Sequence, residues 1–348
     1  MFVFLDFIKS KSKDRSYLVF IWLVLLIILS SAGFYYFEHG SHENLSVWDC
    51  IWWSIVTMTT VGYGDLYPQS FYGRFLVGIP TMLLGIACLA IFLDKIQENL
   101  TKRSKKERGL LVMKEENHIL ILGYPGESAM LEIITELQLD SHLKGHSICF
   151  VTAMIDLIPA TLKAKGVHFV HGNPSKLDSL EKANIGEAHK IIILVDDHSN
   201  TESDGVSLMR ILNAKKALDM KYVYIIAECM DPTNEANFHQ AGADEVIVTE
   251  ALLAGLVVQG MASNGINPII RDLITNSTGV QFYMDFVPAS HQKKTFGDLV
   301  SKFSKSCSQL TIIGHLVGGK GISVDHSSLL NSGDKILYVS ANRKELWM

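Results

Sequence analysis

Apolar residues are distributed unevenly along this chain, and that unevenness predicts two different kinds of structure. Residues 17–37 and 75–93 are runs without a charged side chain, each long enough to cross a bilayer as a helix. Between them residues 47–57 form a Trp-rich amphipathic run that is too short to span a bilayer core of about 30 Å. It is expected to be a re-entrant helix, since irregular backbone at membrane depth must be surrounded by protein. From residue 117 onward the pattern changes to short apolar strands at 118–122, 147–152, 168–171, 190–195, 222–227 and 245–248. Helical runs separate them, the first over 129–139. Strands alternating with helices predict a doubly wound parallel sheet, with ligands at the carboxyl ends of its strands. Residues 252–262 and 268–274 read as an apolar helical pair. Residues 279–348 read as a smaller α+β lobe with strands at 280–287, 310–317 and 336–339.

The predicted domains are an N-terminal segment (1–16), a two-helix membrane domain (17–97) and a linker (98–116). A Rossmann-like lobe (117–250), a helix-turn-helix crossover (251–278) and a C-terminal lobe (279–348) follow. Lys9, Lys11, Lys13 and Arg15 precede the first membrane run; Lys102, Arg103, Lys105, Lys106 and Arg108 follow the second. The positive-inside rule therefore places both termini in the cytoplasm of a cell with this protein in its inner (plasma) membrane. Residues 1–15, with their basic cluster after a short apolar patch, do not read as a secretory signal. They are expected to lie on the inner leaflet or to be a disordered basic terminus.

Charge and cysteine content narrow the picture. A net charge of -5 over 348 residues argues against nucleic-acid binding. The five cysteines have no paired spacing, which suits a reducing cytosol. The turn after the first strand, Gly123-Tyr124-Pro125-Gly126-Glu127-Ser128, is a weak nucleotide-loop candidate. A dinucleotide fingerprint needs glycine where Pro125 and Ser128 stand, and an acidic residue where the second strand ends in Thr152 and Ala153. Gly85 reads as a hinge or a close helix contact, with Pro80 nearby to favour a bend. Asp94, at the end of the second run, reads as an entrance charge or an ordinary helix-end charge.

The segment Thr60-Val61-Gly62-Tyr63-Gly64 matches the potassium-channel selectivity filter residue for residue. With Phe169-Val170-His171-Gly172-Asn173-Pro174, Ile225-Ile226-Ala227-Glu228 and Ala241-Gly242-Ala243-Asp244-Glu245-Val246, the chain resembles a two-transmembrane prokaryotic potassium channel carrying a cytoplasmic RCK (TrkA-N/TrkA-C type) domain, similar to the calcium-gated archaeal type. The resemblance implies a K⁺-selective homotetramer rather than an enzyme, with four filter loops replacing the ion's hydration shell. It implies filter support from Trp52, Trp53 and Asp65, and a gate near Gly85 and Asp94 controlled by RCK dimers joined in an octameric ring. It further implies a Ca²⁺ site at Asp196 and Glu228, with Met230 at the third ligand position and Asp231 as its substitute; Asp197, Glu202 and Asp204 lie near. The alternative effector is NAD or an adenine nucleotide such as ADP. Met113 reads either as an internal start for free RCK copies or as an ordinary linker residue.

Overall fold

The computed structural model describes residues 16–42, 44–200, 202–276, 279–291, 293–306, 310–316, 321–331 and 333–341. Residues 1–15 of the expected N-terminal segment, Val317 and Cys307 lie outside them. The chain divides into two compact units, the second beginning at Lys106.

The first unit is built on α1 (Ser16–Glu38), α2 (Val47–Met58) and α3 (Ile79–Glu107). Two helical stretches, Phe20–Glu38 and Gly73–Glu107, are long and apolar enough to cross a membrane. Ser46 caps α2 in a reciprocal box with Asp49, which fixes where the short helix begins. Its inward face packs Cys50 and Trp53 against Phe34, Leu45 and Val77. Buried hydroxyls tie the three helices together. Ser30 Oγ lies 2.7 Å from Thr81 Oγ1, and Ser31 Oγ lies 3.0 Å from Ser54 Oγ. A π-helical turn, Gly73–Gly78, leads into α3 and ends just before Pro80, which has no N–H to continue the ladder.

The first half of the expected linker 98–116 is helical: α3 runs on to Glu107. Glu98 sits between Lys95, at 2.5 Å, and Lys102, at 2.6 Å, in the i,i+3 and i,i+4 pairs that support a polar helix. Beyond α3 the chain lies within the second unit and is bonded there. Ile158 N donates to Glu107 O at 2.9 Å, His171 N to Gly109 O at 2.9 Å, and Met113 N to Lys182 O at 2.8 Å.

In the second unit β1 (His118–Leu122), β2 (Ile148–Thr152), β3 (His168–His171), β4 (Ala188–Ile193), β5 (Tyr224–Cys229) and β6 (Glu245–Val248) form a parallel sheet in the order β3-β2-β1-β4-β5-β6. All five residues of β1 are buried because both faces are covered. Ile119 and Ile121 join Phe150 and Ile134 on one side; Leu120 and Leu122 join Val151 and Ile211 on the other. The covering helices are α4 (Glu127–Leu139), α5 (Ala160–Ala164), α6 (Leu177–Lys182), α7 (Ser203–Leu218) and α8 (Glu235–Ala241).

The helices α9 (Thr249–Ala262) and α10 (Ile266–Ile274) follow, with Leu253, Val258 and Met261 exposed. The last lobe is an antiparallel sheet of β7 (Gln281–Phe286), β8 (Leu310–Leu316), β9 (Ile322–Ser323) and β10 (Lys335–Ser340), in the order β7-β10-β8-β9. The helix α11 (Phe296–Ser306) buries Phe296, Leu299 and Phe303 against it.

Candidate functional site: a filter loop and a cytoplasmic cleft

The filter segment leaves the end of α2 with its amides turned back onto that helix. Thr60 N donates to Thr57 O at 3.1 Å, and Val61 N and Gly62 N share Val56 O at 3.0 and 3.3 Å. Left-handed backbone then recurs at every second residue: Thr60 (φ 62°), Gly62 (φ 54°) and Gly64 (φ 77°). Alternation of left-handed with ordinary residues turns successive carbonyls to one side, the arrangement a line of cation sites requires. Gly62 and Gly64 adopt it without a β-carbon penalty. Val61 and Tyr63 are exposed in the single chain.

The two tryptophans part company. Trp52 stacks on Tyr63 with ring centres 5.8 Å apart and planes within 8°, and its Nε1 donates to Asp65 Oδ2 at 3.1 Å. Trp53 turns away, is buried, and stacks on Phe34 at 4.1 Å. Its expected place in the filter support is corrected: neighbouring residues on a helix diverge by about 100°, so only one of them faces the filter. Gly85 is a close contact. A β-carbon there would lie 2.6 Å from Met58 Cγ and 3.0 Å from its Cα, so α3 presses on the end of α2 through the missing side chain. Asp94 is exposed on α3.

In the second unit a cleft of about 640 Å³ opens at the carboxyl ends of β2, β3 and β4, lined among others by Thr152, Asn173, Ser175, Asp196, Glu202 and Arg210. The residues assigned to calcium are not gathered into one metal cage; among the described residues no group of three His, Cys, Asp or Glu side chains is so placed. Asp196 forms an ion pair with the buried Arg210 and accepts the Tyr124 amide at 2.6 Å. Glu228 accepts Val195 N at 3.0 Å and meets His198 Nε2 at 2.8 Å. Asp231 caps a turn through Thr233 N, which with the Thr233 hydroxyl holds its carboxyl below the usual range. Asp204, set aside as a neighbour, is the buried hub of that turn, accepting Met230 N, Asp231 N and Asn234 Nδ2. The three carboxylates expected to hold Ca²⁺, Asp196, Glu228 and Asp231, are thus not gathered around one point, and each also accepts a donor from the protein.

The loop Gly123 to Ser128 does not make a pyrophosphate seat either. Gly123 (φ 119°) is glycine because a β-carbon would overlap Leu194 O and crowd Arg210. The Tyr124 amide is spent on Asp196. Gly126 (φ 111°) precedes α4, and Glu127 sets a carboxylate in its first turn, hydrogen-bonded by Thr161, beside Ser128. A helix N-terminus that carries its own anion offers less to a phosphate. At the end of β2, Thr152 Oγ1 accepts Met154 N at 3.0 Å, and no carboxylate takes the ribose position. Met113 is buried in the sheet's core, 5% exposed.

Comparison with known proteins agrees with both halves. The family described as "Ion channel" matches residues 21–102, and that described as "TrkA-N domain" matches residues 143–249. The chain thus joins a segment similar to an ion-channel pore to one similar to a TrkA-N domain, the pairing found in potassium channels that carry an RCK domain. It is 25% identical over 338 residues to "Calcium-gated potassium channel TvoK" of Thermoplasma volcanium, covering 94% of this chain and 92% of the relative. It is 27% identical over 239 residues to "Putative potassium channel protein YugO" of Bacillus subtilis, covering 68% of this chain and 69% of that one. A solved structure, "GsuK channel bound to NAD", is similar at 22% identity and a TM-score of 0.42; it covers 92% of this chain, which spans 56% of that one. These relatives are potassium channels, not enzymes.

Proposed function

We propose that four copies of this chain form a K⁺-selective pore whose opening is set by an effector bound to the cytoplasmic lobe. The observation that carries the pore reading is the alternation of left-handed backbone at Thr60, Gly62 and Gly64, hung from Val56 O at the end of α2. The ion-lining oxygens are the Thr60 hydroxyl and the carbonyls of Thr60, Val61, Gly62 and Tyr63. Trp52 and Asp65 brace that line, and Asp94 rings the cytoplasmic entrance of the tetramer. The protein sits in the inner membrane with both termini in the cytoplasm. The exposed apolar residues of α9 and α10 pair two lobes, and four such dimers close a ring of eight, with free lobes beginning at Met113 completing it.

The effector best suited to the cleft is a nucleotide-sized polar molecule lying across Thr152, Asn173 and Ser175, away from the Gly123 loop. A volume of about 640 Å³ falls in the range that holds such ligands, and its neutral hydrogen-bonding groups are not committed to an ion. Calcium is the second reading, supported by the description of the Thermoplasma relative and by the exposed Glu202 lining the cleft. Potassium flux from liposomes holding the purified channel, titrated separately with Ca²⁺, NAD and ADP, tests all of this. Flux that follows a nucleotide and ignores millimolar Ca²⁺ supports the first reading; the reverse supports the second. Absence of K⁺ flux under every condition refutes the pore.

A further inference from the structure

Buried hydroxyls from α1, α2 and α3 meet inside the first unit, and the pore reading uses none of them. Ser30 and Ser31 stand on α1, Ser54 on α2 and Thr81 on α3, each 5% exposed or less. A hydroxyl without a partner in hydrocarbon is costly, so such groups tend to join helices. Ser30 Oγ lies 2.7 Å from Thr81 Oγ1 and accepts from Ser54 Oγ at 3.1 Å. The Ser54 hydrogen has a second acceptor on its own helix, Cys50 O at 2.9 Å, as Ser31 has in Ile27 O at 2.7 Å. A helical serine or threonine can turn back in this way to the carbonyl four residues earlier, and Ser30 and Thr81 have the same recourse. The Ser30–Thr81 bond can therefore break without stranding either group.

Its place on the helices gives it a use. Outward of it the packing is fixed. Phe34 stacks on Trp53 with ring centres 4.1 Å apart, and Gly33 abuts Val77, whose Cγ2 would lie 2.9 Å from a β-carbon there. Inward of it the described residues of α1 from Phe20 to Leu29 are all at least partly exposed within a single chain, as are those of α3 from Leu89 to Lys105. Between these regions the second spanning stretch is irregular. The π-helical turn Gly73–Gly78 and then Pro80 interrupt the regular ladder, and bends in long helices fall at such places. Thr81 is the first residue past them. Its bond to Ser30 thus holds α3 to α1 just inward of the point where α3 can bend.

We propose that Ser30 and Thr81 are positioning residues for gating: their hydroxyl bond is a latch between the two spanning helices, made in this structure and released when the pore changes state. The inference rests on this pore passing K⁺ and on α3 moving as it opens. Thr81→Val, which keeps the shape, and Ser30→Ala are each expected to move effector-free K⁺ flux, or the effector concentration for half-maximal flux, by at least about threefold in one shared direction, the worth of one interhelical hydroxyl bond. The double variant Ser30→Ala with Thr81→Val is expected to move it no further, because both changes remove the same bond.

The test is K⁺ flux from liposomes holding full-length wild-type, single-variant and double-variant channels, without effector and with Ca²⁺, NAD or ADP. Each is first shown to assemble like wild type on a cross-linked gel. Ser30→Cys with Thr81→Cys supplies a second arm: copper–phenanthroline oxidises the two thiols to a disulfide, confirmed by mass spectrometry, and dithiothreitol reduces it. The joined channel is expected to carry a flux that no longer answers to any effector, and reduction is expected to restore the answer. Equal flux and equal response in the oxidised and reduced channels would overturn the proposal, as would failure of the two cysteines to join. So would single-variant shifts that add in the double variant, or flux lost only in proportion to lost assembly. If wild type carries no K⁺, the pore reading fails first. If it conducts but answers to none of the three effectors, the effector reading fails, and oxidised against reduced flux still decides the latch.

Discussion

Replacing Asp196 by Asn separates the two roles that this residue has been given. The structure makes it a lock: one oxygen takes the Tyr124 amide and the other pairs with Arg210, whose guanidinium also donates to Leu194 O at 2.6 Å. The Arg210 side chain is 3% exposed and that of Asp196 is 24% exposed. Removing one partner of a buried pair costs about 3–5 kcal/mol because the other charge is stranded. Solvent reaching Asp196 screens part of this, leaving about 2–3 kcal/mol. At ~2–4 °C per kcal/mol for a domain of this size, the lobe's melting point is expected to fall by about 5–10 °C. Cys149 and Cys229 provide the readout: both are fully buried, and burial pushes both thiols up to about 12, so they react only when the lobe opens. Labelling them against temperature in the full-length channel, with Cys50 and Cys88 of the other unit as reference, measures the shift by mass spectrometry. The double variant Asp196→Asn with Arg210→Met is expected to regain most of the loss, since no charge is then stranded. A shift below about 1 °C, together with loss of a calcium response, would refute the lock and restore Asp196 as a metal ligand.

Other expectations follow from single contacts. Gly85→Ala places a methyl 2.9 Å from Met58 Cβ, an overpacking worth about 1–3 kcal/mol, and is expected to lower tetramer yield, with Met58→Ala restoring it in a cross-linking assay. Gly109 has φ 64° and its β-carbon would overlap His171 N, so Gly109→Val is expected to undock the segment after α3. Faster hydrogen exchange at Ile158 and His171 would show it, and unchanged protection would count against it. His118 is buried, and desolvation holds its imidazole below the ordinary range. The unfolded chain therefore binds the proton more readily, so the stability this residue gives is full above about pH 6.5 and is lost as pH falls below it. His118→Gln is expected to flatten that limb of the lobe's melting curve. Met261→Arg, on the exposed face of α9, is expected to reduce the size of the assembled cytoplasmic ring on gel filtration without unfolding it.

Much of this architecture was legible because it is written in local pattern. The charge-free runs and the strands His118–Leu122, His168–His171 and Glu245–Val248 fall where spacing placed them. The full length of α3 and the helix α11 were not read, although signals existed. Glu98 flanked by Lys95 and Lys102 at helical spacing marks the continuation of α3, but the charge run read as a linker. Thr295 and Asp298 form a reciprocal cap ahead of Phe296, Leu299 and Phe303, the signature of α11, inside a lobe that read as mostly strands. The acidic residues were the illegible part. Asp196, Glu228 and Asp231 look like ligands along the chain because carboxylates ending strands are the raw material of calcium sites. Whether they are available depends on partners such as Arg210, Val195 N and His198, which only the folded sheet brings near.

That same pairing constrains how any effector can work here. A ligand shifts the channel between states only through its differential affinity for them. Calcium at Asp196 has first to displace Arg210, whose buried guanidinium then lacks its carboxylate, and so it must repay a cost of about 3 kcal/mol before any bias toward one state remains. A polar molecule held by Asn173 and Ser175 on one wall of the cleft leaves the pair intact. Arg210→Met distinguishes these routes. It removes the competitor for Asp196 and is expected to increase apparent calcium affinity if the metal route operates. It is expected to weaken a nucleotide response by disordering the cleft floor if that route operates. Opposite signs from one substitution, read as K⁺ flux against effector concentration, make the effector class decidable even before its site is seen.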